Sequence, residues 1–184
     1  MQAQELLNKL RVITNQNSTI VEDFIKLDTS ELNYRLDTNS WSILECIAHL
    51  NRYFKFYIPE IQKQIEQAPS IDSREFKTGT LGNYFVKTMD PTQNNKPMKT
   101  FKSMNPIHSN LTKDTLYDFL NYQKQLLVLL DLAAQVSLTK TKTAISISKF
   151  IRLRLGDTLR VVIYHIERHI KQAERIIKHQ ETLA

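Results

Sequence analysis

Three residue types are scarce in this 184-residue chain, which has 3 glycines, 5 prolines and 1 cysteine. So few glycines and prolines exclude the many tight turns of a sandwich or barrel, and the glycine-rich phosphate loops of repeated βα units. Long uninterrupted helices remain. The breakers also gather in one place: Pro69, Gly79, Gly82, Pro91, Pro97 and Pro106 mark a single connector, with only Pro59 and Gly156 elsewhere. The lone Cys46 excludes an internal disulfide and a cysteine-rich zinc site, which suits a reducing compartment and makes the cytoplasm the expected location. No apolar run approaches the roughly 20 residues of a membrane span. Residues Met1 to Glu5 lack the basic-then-apolar order of a signal peptide, so no membrane partner is expected.

The chain is 41% apolar and 24% charged, a globular composition, and its length predicts one domain over 1–184. Such a chain buries roughly 70% of its unfolded surface and needs no structural metal, so any metal it binds serves function. Its net charge of +6 is uneven, with 10 basic and 4 acidic residues in 140–184. Lys140, Lys142, Lys149, Arg152 and Arg154 have only Phe150 among them for base stacking. They read as a solvated surface, with a lesser role in drawing an anionic small substrate, and no nucleic-acid partner is expected.

Leu6, Leu10, Ile13, Ile20, Phe24 and Leu27 form one apolar stripe, predicting a helix from about 2 to 27. Ser42-Ile-Leu-Glu45 has capping-box spacing, with Trp41 at the staple position before it, and opens a second helix to about Gln67 that Pro59 kinks or deprives of one hydrogen bond. The connector from Ala68 to Pro106 is too long to lack structure of its own. Leu81 to Lys87 predicts a short helix with Tyr84, Phe85 and Val86 tucked onto the bundle, the rest forming a cover. Leu116 to Ala134 carries a third helical pattern, from about Thr112 to Val136. Residues 139–148 alternate but lack an evident partner strand, and read as an extended crossing segment. Asp157 is the expected N-cap of a last helix whose stripe runs from Leu159 to Ile177. Four amphipathic helices predict an all-α four-helix bundle.

His165 and His169 lie four apart on the last helix, so both rings project to one side, about 100° and 60° respectively from the stripe centre at Ile166 on a helical wheel. That spacing can chelate a metal. The run His165-Ile-Glu-Arg-His169 is not the zinc-protease motif, because Glu167 points away from both rings. Two ligands do not make a site, and His49 is the candidate third, with Glu45 one turn earlier to accept from its second ring nitrogen. The wheel places His49 roughly 140° from the centre of its own helix's stripe, so a boundary histidine is the competing reading. His108 and His179 read as surface residues, and Cys46 as core.

Trp41-Ser-Ile-Leu-Glu-Cys-Ile-Ala-His-Leu-Asn51, Phe56-Tyr-Ile-Pro-Glu60, Leu155-Gly-Asp-Thr158 and His165-Ile-Glu-Arg-His-Ile-Lys-Gln-Ala173 together resemble the DinB-like (DinB/YfiT) superfamily. Gly79 to Phe85 and Lys99 to Pro106 extend the resemblance through the connector to a subgroup of bacterial members. The resemblance implies an up-down-down-up bundle holding a divalent metal, zinc or nickel, on His49, His165 and His169. It also implies metal-dependent transfer of a low-molecular-weight thiol to a small-molecule electrophile, in a family whose members often form homodimers. Its alternatives are metal-dependent hydrolysis with Glu45 or a connector residue handling the proton, or a non-catalytic binding or dimerisation module.

Overall fold

A computed structural model describes residues 1–69, 75–94, 96 and 98–183, with the side chains of Lys149 and Leu183 left out. Of the connector predicted over 69–106, residues 70–74, 95 and 97 lie outside the described residues.

The long helices fall where the apolar stripes place them: α1 (Ala3–Phe24), α3 (Ile43–Glu66), α5 (Asp114–Ala133) and α6 (Leu155–Leu183). Their apolar faces meet in one core that includes Leu7, Leu10, Leu50, Phe54, Phe119, Leu130 and Ile163. The first helix ends earlier than its stripe, and a one-turn helix α2 (Thr29–Asn33) follows, started by an Asp28–Glu31 capping box. The same device starts α3, where Ser42 Oγ accepts from Glu45 N at 3.2 Å and Glu45 Oε2 accepts from Ser42 N at 2.8 Å. Pro59 sits inside α3 without ending it.

Contacts along the helices set their directions. Asn51 reaches the Thr115 carbonyl and Phe54 packs on Phe119, so α3 and α5 run the same way. Arg11 pairs with Asp131 while Lys113 reaches the Ile25 carbonyl, so α1 and α5 run oppositely. Trp41 lies against His169 and Tyr53 against His165, which makes α3 and α6 antiparallel. Ile13 and Ile20 line a groove with Ile170 and Glu174, and further along Phe24 and Leu27 meet Ile177 and Glu181, so α1 and α6 are parallel. The bundle is up-down-down-up. Two parallel neighbours, α3 and α5, require a long crossing between them, and the connector is that crossing.

The segment expected to cross as an extended strand is instead half of a hairpin. Strand β1 (Lys142–Ile145) pairs antiparallel with β2 (Ser148–Arg154), with an irregularity between Ala144 and Ile145. The partner is the next seven residues. Thr143 and Ile145 turn inward, Thr143 Oγ1 lying 2.6 Å from Thr158 Oγ1, and Glu60 accepts from Ala144 N at 2.7 Å, so side chains of α3 and α6 brace this small sheet. Two of the cations read as solvated are struts: Arg152 donates to Gln64 Oε1 at 2.8 Å and Arg154 to the Lys77 carbonyl at 2.6 Å.

Within the connector, α4 (Thr80–Met89) packs on α6. Val86 is fully buried, but Tyr84, expected to tuck in, is exposed. Asp157 is not the N-cap of α6, which starts two residues earlier. Its buried carboxylate accepts from Thr78 Oγ1 at 2.5 Å and Gly79 N at 2.8 Å, and so ties the connector to α6. No helix among the described residues is long and apolar enough to cross a membrane.

Gly82 makes this tie possible, because a Cβ there would lie 2.2 Å from Asp157 Oδ2. Gly82→Ala is expected to push the carboxylate off both donors and to lower stability by about 2–3 kcal/mol in urea unfolding. An unchanged unfolding midpoint would show that α4 docks by some other contact.

Candidate metal centre

The antiparallel pairing of α3 and α6 brings His49 against His165 and His169. His49 Nε2 lies 3.2 Å from His165 Nε2, and His169 Nε2 lies 3.1 Å from the same atom. Each residue offers one ligand atom, all within 4.8 Å of one another, so the three could hold a metal ion. The helical wheel misjudged His49 because the wheel considers only the bundle. In the structure every residue from Ser42 to Asn51 is buried, the connector covering what the bundle leaves open, and His49 is 2% exposed.

The outer ring nitrogens settle the tautomers. His49 Nδ1 lies 2.7 Å from the Met104 carbonyl, which can only accept, so the ring proton is on Nδ1 and the Nε2 lone pair faces the cluster. His169 Nδ1 donates in the same way to Gln172 Oε1 at 3.0 Å. With His49 and His169 so fixed, only His165 can place a proton among the three Nε2 atoms while all the rings are neutral. At least two lone pairs then converge without a donor each. Two nitrogens bound at 2.0–2.1 Å to one tetrahedral cation stand about 3.3 Å apart, close to the separations seen here. The donor set and its spacing fit a divalent transition metal.

Met104 belongs to a roof that α3 itself pins down. Lys102–Met104 is a 3-10 turn, Arg52 donates to the Asn105 carbonyl at 2.7 Å, and Trp41 Nε1 donates to Asn105 Oδ1 at 3.0 Å. Trp41, expected as a helix-start staple, spends its ring on the cluster, with centroids 4.7 Å from His49 and 5.6 Å from His169. Tyr53 meets His49 and His165 edge-on at 4.9 and 4.8 Å.

Glu45 does not take the role expected of it. The acceptor for His49 is the Met104 carbonyl, and both Glu45 oxygens are used elsewhere. Arg35 grips the carboxylate with two hydrogen bonds of 2.9 and 2.7 Å, and the Ser42 and His108 amides complete the shell. Burial raises its pKa, but the Arg35 bonds and those two amides outweigh it and hold it below the usual value. Glu45 is a buried strut. His108 and His179 are exposed, and Cys46 is buried in the core with its thiol pushed up by burial, as the sequence implied.

Burial lowers all three histidines. His49 falls to about 4, mainly by burial, while His169 falls to about 3 by burial and the proximity of His49. His165 lies well below its ordinary value from burial and from the other two rings. All three are neutral at pH 7, the form that binds metal. They open onto a cavity of about 530 Å³ that Arg168, Arg175 and Lys99 also line, with no carboxylate on its described walls. Arg168 additionally holds the connector by donating to the Asn94 and Lys96 carbonyls.

The parts of this centre that sequence reasoning missed are Gln172, Tyr53 and the Met104 carbonyl. Gln172 stands three residues after His169, a spacing that was there to be read. The Met104 carbonyl, a backbone atom 55 residues from its partner, left no signal.

The family model described as the DinB superfamily matches residues 18–173, a span containing all three histidines. No curated protein and no solved structure matches the chain.

Because the folded histidines have lowered pKa values, the unfolded chain, titrating near 6.5, binds more protons between that pH and about 4. Stability of the metal-free protein should therefore fall on acidification through this window and flatten below the folded values. Thermal unfolding of chelator-treated protein at pH 7.5, 6 and 5 checks this. The expected result is a falling midpoint whose slope is shallower in His169→Gln; identical slopes would contradict it.

Proposed function

The chain belongs to the DinB superfamily, and from that membership and the converging imidazoles we propose that it is a metal-dependent enzyme of thiol-transferase type acting on small molecules. His49, His165 and His169 are the proposed ligands, and zinc or nickel suits three neutral imidazoles. The observation that carries this reading is the pair of Nε2 contacts at 3.2 and 3.1 Å, with the His49 and His169 protons directed outward to Met104 and Gln172. When bound, the cation would lower the pKa of a cosubstrate thiol and hold its thiolate, with coordination positions left open by the three nitrogens.

The protein's own groups supply the rest. Met104 and Gln172 hold the ring tautomers, and Trp41 and Tyr53 cover the ring faces against water. Arg168, Arg175 and Lys99 give the cavity a positive field, which favours a thiolate and an anionic group carried by the thiol. Hydrolysis asks for a general base near the reacting water. The described cavity walls contain no carboxylate, and Glu45 has both oxygens occupied, so the thiol reading is preferred.

Zinc- or nickel-loaded protein, given a panel of low-molecular-weight thiols and an electrophile, should consume thiol and electrophile together. Turnover should fall at least about 100-fold in His169→Ala and stay near wild type in His108→Ala. Equal loss in both variants, or no turnover in the wild type with any thiol, would overturn the enzymatic reading.

A further inference from the structure

A second cavity of about 290 Å³ adjoins the metal cavity, and the two share Tyr53, Met89, Met98, Lys99, Phe101 and His165 on their walls. Beyond that shared rim its walls are mostly apolar. They come from four elements: Phe54 and Tyr57 on α3, Phe85 on α4, Ile145 on the hairpin, and Val162 and Ile166 on α6. Two of the polar groups among these walls already have partners. Tyr57 Oη accepts from Ser146 N at 3.3 Å, and Thr88 Oγ1 donates to the Tyr84 carbonyl at 2.9 Å. Neither Asp, Glu nor Arg lines the chamber among the described residues.

The cavity is partly open to solvent, its mouth flanked by the exposed Tyr84, Met98, Phe101 and Ile147, so a ligand can enter it. An enclosed apolar cavity of about 150 Å³ holds benzene, so this one holds a body about twice as large. A polar body would give up its hydrogen bonds to water for few partners on walls that are mostly apolar. Met89 and Met98 at the rim are flexible enough to adjust around a flat ligand. The hairpin contributes Ile145 and Leu153, both buried, to the wall beyond the rim shared with the metal cavity.

We propose that the chamber binds the uncharged apolar body of the second substrate, a compound of bicyclic aromatic size whose reacting end emerges beside His165. The direction of that end rests on the metal reading above; the chamber's selectivity for a neutral apolar body does not.

Fluorescence titration of the protein with N-phenyl-1-naphthylamine, a neutral naphthalene derivative that brightens in apolar surroundings, tests this. One saturable site is expected in the wild type. Binding should weaken at least tenfold in Val162→Phe and in Thr88→Phe, which fill the chamber from its wall and its lip. It should be unchanged in Phe150→Ser, whose ring is 98% exposed on the hairpin and offers the competing sticky surface. No saturable site in the wild type, full affinity in a folded filled variant, or loss in Phe150→Ser would overturn the proposal. Zinc titration of the same samples separates the two readings. Zinc binding without probe binding removes the chamber alone, and probe binding without zinc leaves the chamber standing while removing the metal.

Discussion

His165 Nε2 lies 3.1–3.2 Å from the Nε2 atoms of both His49 and His169, so one proton at most is shared between two facing lone pairs, and much of this fold is arranged to hold three imidazoles in that position. His49 cannot swing away, because its outer nitrogen is tied to the Met104 carbonyl and its ring lies between Trp41 and Tyr53. His169 is tied by Gln172 on its own helix. Burial opposes a charge on any of the rings and keeps them neutral, the form in which their lone pairs could hold a cation.

Two buried carboxylates hold the scaffold around this cluster. Glu45 gathers Arg35, the start of α3 and the His108 amide at one end, and Asp157 gathers Thr78 and Gly79 against α6 at the other. Glu45 ties the segments around Arg35 and His108 to the helix that carries His49, and Asp157 ties the connector to the helix that carries His165 and His169. Removing either would leave a buried charge or unpaired donors, whose cost exceeds what the intact bonds contribute. The connector is thereby a fitted cover. Its Met104 carbonyl orients His49, its Met98 and Phe101 line both cavities, and Arg168, set between His165 and His169 in α6, fastens it at the Asn94 and Lys96 carbonyls.

The helices were legible because their signals are local: apolar residues at steps of three and four, and the Ser42 to Glu45 capping box. The Asp28 to Glu31 box has the same spacing and starts a helix of one turn, with no stripe to announce it. The hairpin was hidden for a different reason. Phe150 points fully into solvent in the middle of β2, which obscures the inward and outward alternation, and α6 follows without a break at Leu155. His49 was legible only through its family resemblance, since its burial comes from a connector that no wheel of α3 contains. Glu45 shows the converse. Its position one turn before His49 suggested a partner for the ring, whereas the capping box and Arg35 had already taken its oxygens.

The claim on which the rest stands is that His49, His165 and His169 bind one cation together. X-ray absorption at the metal edge of zinc-loaded protein tests it most directly. The account predicts one zinc per chain with three imidazole nitrogens at about 2.0–2.1 Å, falling to two in His49→Ala. Substoichiometric zinc, or a first shell unchanged by the loss of His49, would contradict it.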